Sequence, residues 1–497
     1  MRDCEVLVVG GGLTGLSCAV FLAWHGVDCM LVERHTDLLR HPRQRSQVPR
    51  SLELFRQVGL EPRIQAARID FAGPTEYVAV RAETLAAEHT RLDQQDDARR
   101  SAAFSPCTGT PIDQDTVEEL LRDRARELGA RIHFGTELRD FEDGWAHLRG
   151  PGGVDRHVRA RYLVAADGAD SPTRRRLGIK TEGPGDFYDL LSLMIEADLR
   201  PALGGRTVHM AYLDRPGPRT FLMALDRDGR RWVFGTADDP DAPTPDERRC
   251  VELVQAAAGI PVPVRIRPQI PGTTVTRFRV GASVAETFRS GPVFLIGDAA
   301  HLMPPTGGFG GATGVQDAHN LAWKLAAVLR GDAGLRGDAG EALLDTYDEE
   351  RRPVAHFTMR QALARSKFRF GDEEPDEIID RATVMLGYRY GSSTPVDAAD
   401  LNGQPGTRAP HVPLPDGRST IDLYGSGFVL LTGPDGEEWA GEWAKAAEAL
   451  SATAFSLEPE AAKRHGIFPR GALLVRPDGI VAWRGLSPAK STRTHGC

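Results

Sequence analysis

Lysine is scarce in this chain: six of the 61 basic residues are Lys and the rest are Arg. Acids outnumber bases, 69 to 61, giving a net charge of -8, which argues against a general nucleic-acid binder. Cysteine is sparse too. Cys4, Cys18, Cys29, Cys107, Cys250 and Cys497 show no CxxC and no zinc spacing, so no metal centre is expected. Reduced thiols in a cytoplasmic protein fit that pattern. No stretch approaches the roughly 18 uninterrupted apolar residues that a membrane helix needs. The apolar N-terminus carries Asp3, Glu5 and three successive glycines where a signal peptide has a basic start and a long apolar core. What remains is an ordinary balance, 41% hydrophobic and 26% charged, over 497 residues. That length exceeds one domain and predicts two or three.

Residues 5–9, EVLVV, read as a buried parallel strand, and LTGLSCAVFLAWHG reads as the helix after it, with Gly26 at its C-cap. DCMLVER then returns as a second strand ending at Glu33. Residues 115–129 predict an amphipathic helix ended by Gly129, and RYLVAADG another buried strand. From about 180 to 285 the runs VHMAYLD, RTFLMALD and RRWVFGTAD predict a mostly antiparallel sheet. PVFLIGD is a buried strand again. It leads into a glycine-rich loop, the helix VQDAHNLAWKLAAVLRG and a helical stretch over roughly 341 to 387. LNGQPGTRAPHVPLPDG reads as a linker, and the residues beyond it as a small α/β domain containing the helix EEWAGEWAKAAEAL.

Two segments carry the chemistry. Gly10, Gly12 and Gly15 form GxGxxG between a strand and a helix. The first glycine permits the turn, the second lets backbone approach a pyrophosphate, and the third lets helix pack on sheet. Glu33 would accept hydrogen bonds from ribose hydroxyls. Far along the chain, Gly297-Asp298 ends a buried strand, where the carboxylate can bind a second sugar-like chain or cap the following turn. Pro304, Pro305, Gly307, Gly308, Gly310, Gly311 and Gly314 then read as a loop with few side chains, open to a planar ligand. A helix beginning near Gly314 would aim its positive end there.

GxGxxG with Glu33, the segment YLVAADGADSPTRRRLGI, and GDAAHLMPPTGGFGGATGVQDAHNLAWKLA together resemble the FAD-dependent aromatic hydroxylases of the p-hydroxybenzoate hydroxylase fold, in particular the polyketide hydroxylases. The resemblance implies an α/β protein. A Rossmann-like FAD-binding domain (1–178 and 286–390) would carry an inserted, mostly antiparallel substrate sheet (179–285) and a thioredoxin-like C-terminal domain (391–497). Relatives usually continue further after the position of Trp483, so that last domain is expected to be incomplete. It implies FAD contacts from Leu13 and Thr14, an adenosine-ribose site at Glu33 and Arg34, and FAD phosphate or ring contacts from Arg43 and Gln114. Asp167, Gly168 and Arg174 would serve FAD and NADPH (or NADH). Gly297 and Asp298 would hold the FAD ribityl chain or ribose, Pro305 and Gly308 would line the flavin, and Gly311 and Ala312 would offer backbone groups to its pyrimidine edge. The plainer reading of Arg43 and Arg174 is a solvated charge, and of Gln114 an exposed helix start. The subgroup usually has Asn where this chain has Ala312.

The implied reaction uses NAD(P)H and dioxygen and passes through a flavin 4a-hydroperoxide to hydroxylate an aromatic natural product. The partner expected is that small molecule, with no nucleic acid and no membrane, in a monomer or homodimer. The catalytic base is not identified. His209, Tyr212 and Trp232 are candidate substrate contacts, and His301 a structural hydrogen-bonding residue. Baeyer–Villiger oxygenation or oxidative inactivation of an aromatic antibiotic would use the same fold. A non-catalytic flavin- or drug-binding protein is the reading outside enzymology. Flavin halogenases are disfavoured because no WxWxIP segment is present.

Overall fold

The structure is a computed structural model that describes residues 3–40, 43–69, 77–92, 103–226, 228–270, 272–332, 338–371, 377–436 and 452–485. The helix expected over 437–450 and the C-terminal tail lie outside these residues. Six strands form the first sheet, in the order Arg289–Ser290, Val293–Leu295, Tyr162–Ala165, Val6–Val9, Cys29–Glu33, Arg131–Phe134. All neighbours are parallel except the Arg289–Ser290 edge pair. The central strand VLVV is fully buried, as an apolar run covered on both faces must be. Leu13–Trp24 packs between this sheet and the helix Phe309–Arg330. Buried residues occur all round the Leu13–Trp24 helix, the pattern of an interior helix. It ends where expected: Gly26 takes φ +80, open to glycine at no steric cost.

The second sheet runs His301–Leu302, Val275–Ala285, Thr181–Glu196, Arg231–Asp238, Thr220–Ala224, Met210–Leu213, Ala79–Ala82, His89–Leu92, with Arg265–Arg267 off this path beside Thr181–Glu196. It is antiparallel except where Met210–Leu213 lies parallel to Ala79–Ala82. The last two strands come from a segment expected to stay with the first domain, so the substrate sheet is built from two separate stretches of chain. One face packs on the helix Glu247–Ala258 through Leu191, Leu193, Leu222, Trp232, Phe234 and Val254. The other carries Tyr212, Met210 and Phe221, which cluster with Phe370.

A third, four-stranded sheet centres on Val429–Thr432, parallel to Thr453–Ser456 and antiparallel to Ala472–Val475, which pairs in turn with Val481–Gly485. The run before it is no loose linker. Thr407 and Arg408 are buried, and the Arg408 guanidinium donates to both oxygens of Glu53, Nε at 2.9 Å and an NH2 at 2.5 Å. The long helical stretch is Asp338–Phe370 with Pro353 inside it, followed by a separate turn of helix, Arg381–Leu386. Among the described residues no helix is long and apolar enough to cross a membrane, no metal-ligand cluster occurs, and the five cysteines are buried and unpaired.

Candidate active site

The glycines of GxGxxG are fixed by contact as well as by turn geometry. Gly10 has φ +109, and a Cβ there would stand 2.2 Å from the Ala166 carbonyl oxygen. At Gly15 a Cβ would stand 2.0 Å from the Gly10 oxygen, so the helix lies directly on the turn. Gly12 is different: the nearest atom to its added Cβ is a Glu118 oxygen at 3.8 Å. The N-cap residue offers no side-chain cap and no acid lies in the first turn; the Glu118 carboxyl, from another helix, lies at the positive helix end beside the Leu13 amide. Glu33 accepts from the Gly11 amide at 2.6 Å and from the His35 amide at 2.8 Å. Arg34 next to it is exposed.

Arg43 and Gln114 meet on a residue that sequence reading missed. Glu118 accepts from Arg43 at 2.9 Å and from the Gln114 amide at 2.7 Å. It is buried, and burial pushes its carboxyl above the ordinary range, with Arg43 opposing. Gln114 itself is buried, and its carbonyl accepts from the Gln44 amide at 3.3 Å. The available signal was spacing: Glu118 stands four residues after Gln114 on one helix face.

The two distant motifs converge on one hydroxyl. A Cβ at Gly297 would sit 2.6 Å from Thr14 Oγ1, and a Cβ at Gly314 2.4 Å from the same atom. The glycine-rich stretch differs from expectation here. The helix starts at Phe309 after Gly308 in the left-handed region, so Gly310, Gly311, Ala312 and Gly314 are helical and not loop. Close packing is the reason: a Cβ at Gly311 would meet Gln44 Oε1 at 2.3 Å. The Ala312 methyl is buried in the main core. Pro305 is exposed, and its carbonyl accepts from the Gly308 amide at 3.0 Å.

Asp298 lies in the short turn Gly297–Ala299. Asp298 is exposed by surface area, yet desolvation by the surrounding protein pushes its carboxyl up, with His301 and Arg43 opposing. Asp317, on the Phe309–Arg330 helix, holds the turn: it accepts from the Gly297 amide at 3.2 Å, His301 Nε2 at 2.6 Å and Arg351 Nε at 2.8 Å. Burial would raise the Asp317 carboxyl, but Arg351 and His301 outweigh it and hold it low. His301 thus makes the structural hydrogen bond. Asp167 accepts from Ser171 and from the Thr173 amide, and Arg174 donates to the carbonyl of Ala299 at 2.8 Å and of Ala169 at 2.9 Å. Arg174 therefore fastens the segment containing Gly168 to the turn after Asp298; it is not simply a solvated charge.

Alternation along the second sheet separates the three substrate candidates. Ala211, Leu222 and Ala224 are buried toward the Glu247–Ala258 helix, whereas Met210, Phe221 and Met223 are only half-buried on the opposite face. Trp232 belongs to the first face: it is fully buried and donates to the Gly229 carbonyl, so it is not positioned as a substrate contact. Tyr212 is on the second face, edge-on to Phe370 at 5.1 Å, and its hydroxyl accepts from Arg369 at 2.8 Å. His209 accepts from the Val78 amide through Nδ1 at 3.0 Å and stacks on Tyr77 at 5.3 Å. Tyr77 is 46% exposed, and desolvation of its phenol by the surrounding protein pushes it up to about 12, against the pull of Arg369, Arg381 and Arg45. Arg381 in turn donates to the Gly307 carbonyl at 3.3 Å. Arg381 thus joins the glycine segment to the group of charges that act on Tyr77. Arg219, at φ +59, lies over the rings of Tyr188 and Phe370. Tyr77, Arg369 and Arg381 carry no sequence motif and were not foreseen.

The FAD binding domain family matches residues 3–362, and the aromatic-ring hydroxylase C-terminal family residues 402–495. The chain belongs to the FAD-dependent aromatic hydroxylases. This hydroxylase is 39% identical to tetracenomycin A2 monooxygenase-dioxygenase of Streptomyces glaucescens, over 97% of its own length and 93% of that protein's. It is 37% identical to an aklavinone 12-hydroxylase of Streptomyces purpurascens, over 97% and 95%. The crystal structure of aklavinone-11 hydroxylase with FAD and aklavinone superposes with a TM-score of 0.87 at 34% identity, covering 99% of this chain and 97% of that one. The hydroxylase is thus a flavoprotein monooxygenase with FAD as cofactor, and NAD(P)H and dioxygen are the family's usual co-substrates.

The residues present fit FAD. The helix end at Gly12 and the acceptor at Glu33 suit a pyrophosphate and a ribose. Gly15→Ala is expected to push the first helix off the turn and empty the site. Purified protein would then lack the yellow flavin spectrum and fail to regain it on adding FAD; normal flavin content would show that the close contact does not matter.

Proposed function

We propose that this hydroxylase adds one oxygen to an electron-rich ring of a flat polycyclic phenol of polyketide type. The observation that carries the reading is the Tyr212–Arg369 pair on the half-buried face, in contact with Phe370. Bound FAD supplies the oxygen transfer, using dioxygen and electrons from NAD(P)H. The chain's own residues bind and polarise the substrate. Arg369 donates to the Tyr212 oxygen, which leaves the tyrosine proton free to point at a substrate oxygen. The guanidinium charge beside it favours the ionised phenol, the more reactive form of the ring. Desolvation raises the Tyr77 phenol above its ordinary value, so it stays protonated at pH 7 and can donate a hydrogen bond. Burial lowers the pKa of His209, so it is neutral at pH 7. Met210, Phe221 and Phe370 supply an apolar wall that keeps water from the reacting centre.

The test is NADPH oxidation by the flavin-loaded protein with and without polycyclic phenols, with product mass recorded. Ligand-stimulated oxidation with a gain of one oxygen is expected. Tyr212→Phe keeps the ring against Phe370 and removes the hydroxyl. It is expected to lower hydroxylated product about 100-fold while flavin content is unchanged. NADPH oxidation that no aromatic ligand stimulates would sink the reading.

A further inference from the structure

Gly235 sits in the middle of the strand Arg231–Asp238, paired with Ser192 on one side and Phe221 on the other. Its φ is not in the left-handed region, so the backbone does not demand glycine. Glycine inside a central strand weakens it, and its usual reason is the close approach of another group. Here that group is the Phe221 ring. A Cβ at Gly235 would stand 2.3 Å from Phe221 Cε1, 2.5 Å from Cζ and 3.1 Å from Cδ1. The phenyl ring therefore lies down on the sheet, over the space where a side chain would be. Phe221 is half-buried and clusters with Tyr212, Met210 and Phe370.

We propose that Gly235 and Phe221 form the floor of the substrate cavity and set its depth, and that this flat aromatic floor selects a planar fused-ring substrate over a single-ring phenol. The proposal rests on the hydroxylase reading above. Any side chain at 235 would tip the phenyl ring up into the space beside Tyr212. A flat ring presents its face to a ligand, and fused aromatic systems stack on such a face in offset geometry. A single-ring phenol covers less of the floor and gains less from it.

The experiment compares a hydroxyanthraquinone with phenol as ligands of the flavin-loaded protein, reading KM from stimulated NADPH oxidation. Gly235→Ala is expected to raise KM for the fused-ring ligand about tenfold more than for phenol. Adding Phe221→Leu in the same chain is expected to cost the fused-ring ligand no more than Phe221→Leu alone, because both changes act through the one ring. Equal losses for both ligands, or losses that simply add in the double variant, would overturn the proposal. If Gly235→Ala does not fold, Phe221→Leu alone reads the same floor. Losing the ring should then cost the fused-ring ligand more than phenol, and equal costs would again overturn it. A failed hydroxylase reading looks different: the unsubstituted protein would show no stimulation by either ligand.

Discussion

Asp317→Ala is expected to destabilise the flavin-loaded protein by about 3–5 kcal/mol, the cost of leaving a buried partner charge uncompensated. Arg351 is fully buried and would lose its carboxylate; His301, also buried, would lose the one partner its ring nitrogens have among the described residues. The damage reaches the site through the Gly297 amide, which Asp317 accepts at 3.2 Å. With that bond gone, the turn carrying Asp298 loses its anchor to the Phe309–Arg330 helix. Weakened FAD retention should accompany the lower stability. Urea unfolding followed by flavin fluorescence checks both at once, and Asp317→Asn, which keeps shape and one acceptor, should fall between. An Asp317→Ala protein that unfolds at the normal urea concentration and holds FAD as tightly would mean that the triad does not support the turn. The acid limb has a definite sign. Asp317 is held below its ordinary value of 3.8, so its contribution is complete above that pH and is lost as pH falls through the depressed folded value.

The sequence exposed those parts of the site that depend on backbone. The turns at GxGxxG and Gly297-Asp298, and the strand end at Glu33, were legible because a tight turn between strand and helix demands small residues at particular spacings. The antiparallel sheet was legible from alternation. Three things were hidden for physical reasons. The Phe309–Arg330 helix starts earlier than expected, because its glycines read as breakers when they are contact residues against Thr14 and Gln44. Trp232 and Tyr212 could not be told apart, since period two says that residues alternate and not which face meets the cofactor. Tyr77 and Arg369 come from segments more than 100 residues away from Tyr212 in one or the other direction, and only the fold brings them together. The linker reading of residues 401–417 failed similarly: Gly and Pro enrichment is real, but Arg408 is buried against a carboxylate far back in the chain.

That carboxylate gives the other large effect. Glu53 is fully buried and accepts from Arg50, Arg408 and Ser105, while Arg50 also donates to the Asp478 carbonyl at 3.0 Å. Burial would raise the Glu53 carboxyl; Arg408 and Arg50 reverse this and hold it low. Glu53→Ala is expected to cost about 3–5 kcal/mol and to loosen the C-terminal sheet from the flavin domain, because Arg408 and Arg50 would be stranded together. Replacing Glu53, Arg50 and Arg408 together by apolar residues should recover much of the loss, since no buried charge of that cluster then remains unmatched. Limited proteolysis in the 401–417 run, alongside the unfolding midpoint, reports the loosening. A single variant whose midpoint and cleavage pattern are unchanged would show that the pair does not hold the domains. The same junction should be acid-labile. Glu350, bound by Lys324 at 2.7 Å and by Arg476 at 2.5 Å, is buried yet drawn down to about 2 from 4.5 by those two cations. A depressed carboxyl contributes above its unfolded value and loses that contribution as pH falls through the folded one. The window therefore runs from about pH 4.5 down to about 2, with roughly 3 kcal/mol at stake for Glu350. Lys324, lowered by burial to about 8, remains mostly protonated at pH 7 and keeps the pair intact there. Domain separation in acid should accordingly precede the loss of the buried VLVV sheet, which has no titrating side chain in its central strand.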